Sequence, residues 1–453
     1  HHRPRAPRVL DRLRRAGAAE SGTTLVALHE TTVDPPEPPP YDVEMATSFR
    51  KYNPDKDKRA THTIWQECGW IEDDKKHKEA LDRLVASSSA WVYAVDGTAE
   101  AMTVSTPAKF HHTGTVLSLA AITAVTTSRV ARGRGAATGT IARSIAESGA
   151  AGIAVAGLGM FEQGFYDRFG FGNGPYELFY RFDPAWLKPF EKPAPPVRIG
   201  PRDWKAIHAG RLARHKQHGA VDLLPDEVSR CEMEWSKGVF GLGYKSKGKL
   251  THFFVGRATG ENGPYMIDWI VYQDLSQLRE LLSLIRGLGD QVRSVRMKEI
   301  PRLQLQALLE RPFQLQTITR KGPFESHLFG EAFWQLRILD VRHCVASVKA
   351  HESVAFTLKL TDPLSELLPA DGPWHGCGGS YVVRLGEESE AEPGEDKALP
   401  TLEATVNDFT RFWMGSASAA VLAGLHSFRG PAELIEALDA AVALPSPYPD
   451  WDY

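Results

Sequence analysis

The segment that most restricts what this chain can fold into runs from Leu117 to Ala156. Leu117, Leu119, Ala121, Thr123 and Val125 alternate with Ser118, Ala120, Ile122 and Ala124, which predicts a mostly buried strand. The loop Arg132-Gly-Arg-Gly-Ala-Ala137 follows. Ala137, Ile141 and Ile145 then recur at i, i+4 and i+8, one face of a helix that Gly149 ends. Ile153-Ala-Val-Ala156 predicts a second short strand. After Gly164, Phe165-Tyr-Asp-Arg-Phe-Gly-Phe171 crowds aromatic side chains into a short turn or helix, and Tyr176–Phe182 predicts another strand.

A glycine loop between a strand and a helix N-terminus presents unpaired backbone N–H groups and the positive end of a helix dipole to an anion. Small residues let a phosphate come close to the backbone, and Arg132 and Arg134 add charge beside it. Two phosphate loops are excluded. A dinucleotide GxGxxG needs glycine at position 138, where Thr138 stands, and a P-loop needs Gly-Lys-Ser/Thr where Thr138, Gly139 and Thr140 occur. What remains is Arg-x-x-Gly-x-Ala after a buried strand, or an ordinary connection whose glycines serve the turn and whose arginines serve solubility.

The 453 residues suffice for about three domains. A balance of 53 basic against 56 acidic side chains argues against a dedicated nucleic-acid binder. The longest apolar stretches, near Val116–Val125 and Gly149–Phe161, fall short of the roughly 20 residues of a membrane span. Cys68, Cys231, Cys344 and Cys377 are widely spaced with no CxxC, which suits a reducing cytosol and argues against a structural metal site. Arg3, Arg5, Arg8, Arg12, Arg14 and Arg15 crowd the first residues without the apolar stretch of a secretory signal, so residues 1–40 are read as an Arg/Pro-rich extension. Asp34–Pro40 and Pro184–Pro201 are proline-rich and read as boundaries. The acidic run Glu387–Asp396 is read as a solvated hairpin loop in preference to an acidic ligand surface, and the segment holding Trp65, Glu67, Trp70, Glu72, Asp73 and Asp74 as a solvated helix face in preference to aromatic and carboxylate contacts for a cationic amine.

Ile122–Thr127, Arg132–Gly135, Glu162 and Gly164-Phe-Tyr-Asp-Arg-Phe-Gly-Phe-Gly172 occur in an order and spacing that resemble the Eis (enhanced intracellular survival) family of Gcn5-related N-acetyltransferases. Leu339-Asp-Val-Arg342, Leu358–Pro363, Leu402–Gly415 and the aromatic ending Pro447-Tyr-Pro-Asp-Trp-Asp-Tyr453 extend the resemblance. It implies an α+β fold: tandem acetyltransferase (GNAT) domains at 41–185 and 196–330, the second degenerate, and a sterol-carrier-like α/β domain at 331–453. Their mixed sheets would be flanked by helices.

The resemblance also implies a site. Acetyl-CoA would lie along Val125, Thr126 and Thr127. Its pyrophosphate would sit among Gly133, Arg134, Gly135, Ala136, Ala137 and Thr138, with Phe161 and Glu162 alongside. Tyr166 matches the family's general acid, while Arg168 and Phe169 read as structural. The family's base is the main-chain carboxylate of the last residue, here Tyr453. No metal is implied. The expected activity is acetyl transfer to a primary amine, aminoglycoside-like or lysine-type, by a cytoplasmic homo-oligomer, a hexamer in family members. Neither a nucleic acid nor a membrane is expected as a partner. The alternative is a lipid-binding protein that uses its C-terminal domain beside a vestigial acetyltransferase half.

Overall fold

The computed structural model describes residues 45–160, 162–311 and 322–453; the extension read at 1–40 lies outside them. Near its start the chain lays down β1 (Thr47–Lys51), two helices α1 (Pro54–Glu67) and α2 (Lys75–Ala86), then β2 (Ser89–Val95), β3 (Thr98–His112) and β4 (Thr115–Thr127). These four strands form an antiparallel meander. Next come helix α3 (Ala136–Ala150), strand β5 (Val155–Gly159), the short helix α4 (Gln163–Asp167) and β6 (Gly172–Asn173). The connection through α3 brings β5 parallel to β4, as a strand–helix–strand unit requires.

Sheet membership crosses the divisions expected near 185 and 330. Strand β7 (Glu177–Phe182) lies between His327–Glu331 and Val295–Lys298 in a second, seven-stranded sheet. Conversely Trp334–Ile338 is built into the first sheet, antiparallel to β5. Val221–Leu223 also crosses over to pair with β3. A third sheet of five strands, centred on Val354–Thr361, carries the helix Ala432–Ala441 with Leu434, Ile435, Leu438 and Ala441 buried. The acidic run expected as a hairpin loop contains one further strand, Glu390–Pro393, paired to Gly379–Leu385. Among the described residues no helix is long and apolar enough to cross a membrane.

One buried ion pair ties these units together. Arg337 is fully buried within the first sheet and donates to Asp362, equally buried, at 2.7 Å. It also donates to the Phe169 carbonyl. Burial alone would push the Asp362 carboxyl up, but the Arg337 guanidinium and the Cys377 and Leu364 N–H groups outweigh it and hold it below the usual carboxylate range. The stabilisation is therefore present above the unfolded-state value of about 3.9 and is lost as pH falls through the folded one. Asp362→Asn is expected to lower Tm at neutral pH, with the gap to wild type closing below about pH 4. Thermal melts across pH check this.

Candidate active site

The glycine loop has the geometry an anion site needs. After a single turn at Arg129–Ala131, Gly133 and Gly135 adopt φ of 76° and 71°, left-handed values that favour glycine. Gly135 caps α3 without offering a side-chain acceptor, so the first-turn N–H groups have no cap of that kind. A Cβ at Gly133 or Gly135 would meet nothing within 4 Å, so the cradle is open. Arg132 and Arg134 are exposed beside it. The helix behind the loop is fixed by a 2.8 Å hydrogen bond between the hydroxyls of Thr140 and Thr103, the latter on β3. Gly135→Val would add about 1–2 kcal/mol of left-handed strain. We expect the variant to melt a few degrees below wild type; thermal melts decide.

Beside the loop the first sheet opens. β4 and β5 pair only from Leu119–Val155 to Ile122–Leu158. β4 continues to Thr127, so its last residues have β3 on one side and no strand on the other among the described residues. Pairing with β3 jumps from Met102–Thr126 to Val104–Thr123. Ala124 and Val125 thus oppose one residue in a β-bulge, with Ala124 at a strained φ of 53°. Val125, Thr126 and Thr127 therefore lie along an edge that no strand among the described residues pairs.

Tyr166 stands next to this opening. Glu162 caps α4 by accepting from the N–H groups of Gly164 at 3.0 Å and Phe165 at 2.6 Å, which commits its carboxylate to the helix. Tyr166 is 2% exposed and shares a core with Ile122 and Leu158, the last residues paired between β4 and β5. Burial, with the Glu162 carboxylate adding to it, pushes the phenol well above the ordinary tyrosine value. It stays protonated at neutral pH, the form a proton donor requires. Phe161 lies outside the described residues.

Arg168, read from the sequence as structural, stacks over Phe165 and Phe169 with its guanidinium 4.7 and 5.2 Å from their ring centres. It also donates to the Thr138 hydroxyl in the first turn of α3. It therefore joins the tyrosine motif to the glycine loop. The signal was its place two residues after Tyr166, on the exposed side of the motif.

The chain end reaches the same strand from the other face of the sheet. A Cβ on Gly157 would lie 2.2 Å from the Tyr453 hydroxyl, and one on Gly159 would lie 2.9 Å from a Tyr453 main-chain oxygen. Leu119 and Leu336 border the same spot. The preceding residues are clamped. Tyr448 donates to the Glu299 carbonyl at 2.6 Å, Asp450 accepts from Arg214 at 2.6 Å, and Asp452 pairs with Lys298. Trp451 is buried against Arg211, whose guanidinium lies 3.5 Å from its ring centre. Tyr166 and Tyr453 thus flank the diverging strands from opposite faces.

A cleft runs from Thr123, Ala124 and Tyr453 out between the first two sheets, and Trp65, Trp70, Trp235 and Trp269 form much of its wall. The helix face expected to be solvated is only partly so. Glu72 and Asp73 are exposed, whereas Trp65 and Trp70 are 1% and 7% exposed and face this cleft. Trp235 and Trp269 carried no sequence signal, since no motif surrounds them. Glu72, Asp74 and His77 bring ligand atoms within 4.8 Å of one another, but each is engaged by the protein itself. Glu72 pairs with Lys237 at 2.6 Å, Asp74 accepts from the His77 N–H, and His77 Nδ1 accepts from the Glu72 N–H.

Comparison with known proteins bears on the fold. Residues 48–174 match the family model described as an acetyltransferase (GNAT) domain. No curated protein matches the chain. Among solved structures, a probable N-acyltransferase from Enterococcus faecalis V583 superposes with a TM-score of 0.74 at 16% identity, covering 90% of this chain and 100% of that one. A GCN5-related N-acetyltransferase from Kribbella flavida gives 0.71 at 15%, covering 91% and 100%. Eis1 from Mycobacterium abscessus gives 0.68 at 16%, covering 90% and 100%. At such identities the structures establish a shared fold alone, and the family match covers residues 48–174. This chain carries a GNAT acetyltransferase domain, of the class that uses acetyl-CoA as co-substrate and an amine as acceptor, and is an enzyme.

Proposed function

We propose that this enzyme transfers the acetyl group of acetyl-CoA to a primary amine by direct attack of the amine on the thioester. The observation that carries the reading is the free end of β4 running into the open glycine loop, with Tyr166 on one face and Tyr453 on the other. Val125, Thr126 and Thr127 would hold the pantetheine arm through their backbone, and residues Gly133, Arg134, Gly135, Ala136, Ala137 and Thr138 would hold the pyrophosphate. Arg168 belongs to that cradle in this reading. Glu162 shapes it by capping α4.

In the reaction the amine nitrogen bonds to the acetyl carbon and the carbon–sulfur bond breaks. The sulfur receives the Tyr166 proton, and the proton shed by the amine passes to the Tyr453 carboxylate, directly or through water. A carboxylate is a weak base for an alkylammonium near pH 10. Its usefulness rests on the apolar surroundings, which favour the neutral amine. Juxtaposing the reactants supplies on the order of 7–11 kcal/mol.

The resemblance to the Eis family makes aminoglycosides and lysine-type amines the first acceptors to screen. It also makes the five-stranded unit sterol-carrier-like and the enzyme a cytoplasmic hexamer, which light scattering on the purified chain tests. The apolar cavity bounded by Val345, Phe356 and Trp413 measures about 10 Å³, room for at most one water. Thiol release from acetyl-CoA in the presence of amines tests the transfer reading. Amine-dependent release supports it, and none with any amine refutes it.

A further inference from the structure

The cleft that opens at the β4 bulge is walled by Trp65, Trp70, Trp235 and Trp269, and it carries four carboxylates, Glu232, Asp268, Asp450 and Asp452. Four acids would ordinarily mark a trap for a polycation. Here each already has a basic partner. Arg211 pairs with Glu232, and Arg257 donates to Asp268 at 2.8 Å. Arg214 donates to Asp450 at 2.6 Å, and Lys298 pairs with Asp452. Lys298 is shared with Glu177 and Arg214 with Asp222, yet none of the four stands without a basic partner, so they organise the cleft and fix the chain end more than they hold a ligand cation.

What the cleft does offer is aromatic surface. Trp65 packs edge-on against Trp70 with ring centres 5.1 Å apart, and Trp235 lies 5.6 Å from Trp65. Arg211 covers one face of Trp269 at 3.9 Å, which fixes that ring in place.

We infer that the acceptor is a monoamine carried by a short alkyl arm on an aromatic body, an arylalkylamine, in preference to a polycation. The inference rests on the acetyl-transfer reading above. The ring would stack within the tryptophan wall while the amine points toward Ala124 and Tyr453. One ammonium gains from the indole faces. A second would have to enter the tryptophan wall, away from the Tyr453 carboxylate that the first would meet, and desolvation opposes that.

The test uses the full chain with acetyl-CoA and compares 2-phenylethylamine and tryptamine with spermidine and kanamycin. We expect kcat/KM to be at least about tenfold higher for the arylalkylamines. Their KM should shift less than about twofold when salt rises from about 50 to about 300 mM, because no excess charge is being screened. Trp269→Ala and Trp235→Ala should each raise KM for 2-phenylethylamine about tenfold and leave KM for acetyl-CoA within about twofold. A preference for spermidine or kanamycin, with KM climbing steeply with salt, overturns the inference. Unchanged KM in both tryptophan variants overturns it as well. Calorimetric titration of 2-phenylethylamine separates the two readings. Binding without thiol release from any amine keeps the cleft's preference and refutes acetyl transfer, whereas release with polycations and no binding of 2-phenylethylamine does the reverse.

Discussion

Tyr166→Phe should lower kcat about a hundredfold or more, the range expected when a positioned general acid is removed. KM for acetyl-CoA should stay within about twofold, because the phenol lies in the core beside Ile122 and Leu158 and not in the loop that would hold the phosphates. The change deletes one oxygen from a ring that is almost wholly buried among Phe165, Phe169 and Phe171. The fold therefore has little to readjust, and circular dichroism should be unaltered. The pH profile gives a second check. Burial pushes the phenol above its ordinary value of about 10, so wild-type kcat should show no alkaline decline from Tyr166 below about pH 10. Equal kcat in the two proteins would remove Tyr166 from the chemistry.

Gly157→Val is expected to cost at least about as much, through the chain end. A Cβ at this position lies 2.2 Å from the Tyr453 hydroxyl, 3.1 Å from Leu336 and 3.3 Å from Leu119. β5 cannot move aside, since it is hydrogen-bonded to β4 on one edge and to Trp334–Ile338 on the other. Tyr453 must therefore leave, taking its main-chain oxygen away from Gly159. Deleting Tyr453 should reproduce the loss of kcat, about a hundredfold if the carboxylate is the base. Tyr453→Phe separates the carboxylate from the phenol. The Tyr453 hydroxyl is buried with no hydrogen-bond partner among the described residues. Removing it should leave kcat near wild type and raise stability by about 1 kcal/mol. Thermal melts and steady-state rates on the three variants distinguish a role for the chain end from one for the side chain.

The parts of this site that could be read in the sequence are those whose physics is local. Alternation over Leu117–Val125 gave β4, glycines at a helix start gave the loop, and the spacing of Ile141 and Ile145 gave α3. Gly133 and Gly135 occupy left-handed conformations that few other residues tolerate, so their chemistry is written at their own positions. The rest depends on contacts that no local pattern encodes. Alternation marks Glu177–Phe182 as a strand but is silent on which sheet receives it, and the chain gave it to the second. Trp334–Ile338 completes the first sheet from almost two hundred residues after β5 begins. Trp65 and Trp70 read as parts of a polar helix face because the second unit that covers them lies far along the chain. The neutralised charges of the cleft were invisible for the same reason: Arg214 and Asp450 are 236 residues apart. Arg168 was undervalued because its partner, Thr138, is 30 residues away.

The central claim is that an extended thioester cofactor lies along the free end of β4 with its phosphates at the start of α3. A crystal structure of the full chain soaked with coenzyme A tests it most directly. The claim predicts the pantetheine hydrogen-bonded to the backbone of Val125–Thr127, the pyrophosphate on N–H groups of residues 133–138, and the sulfur between Tyr166 and the Tyr453 carboxylate. Coenzyme A bound anywhere else, with the β4 edge bare, would contradict it.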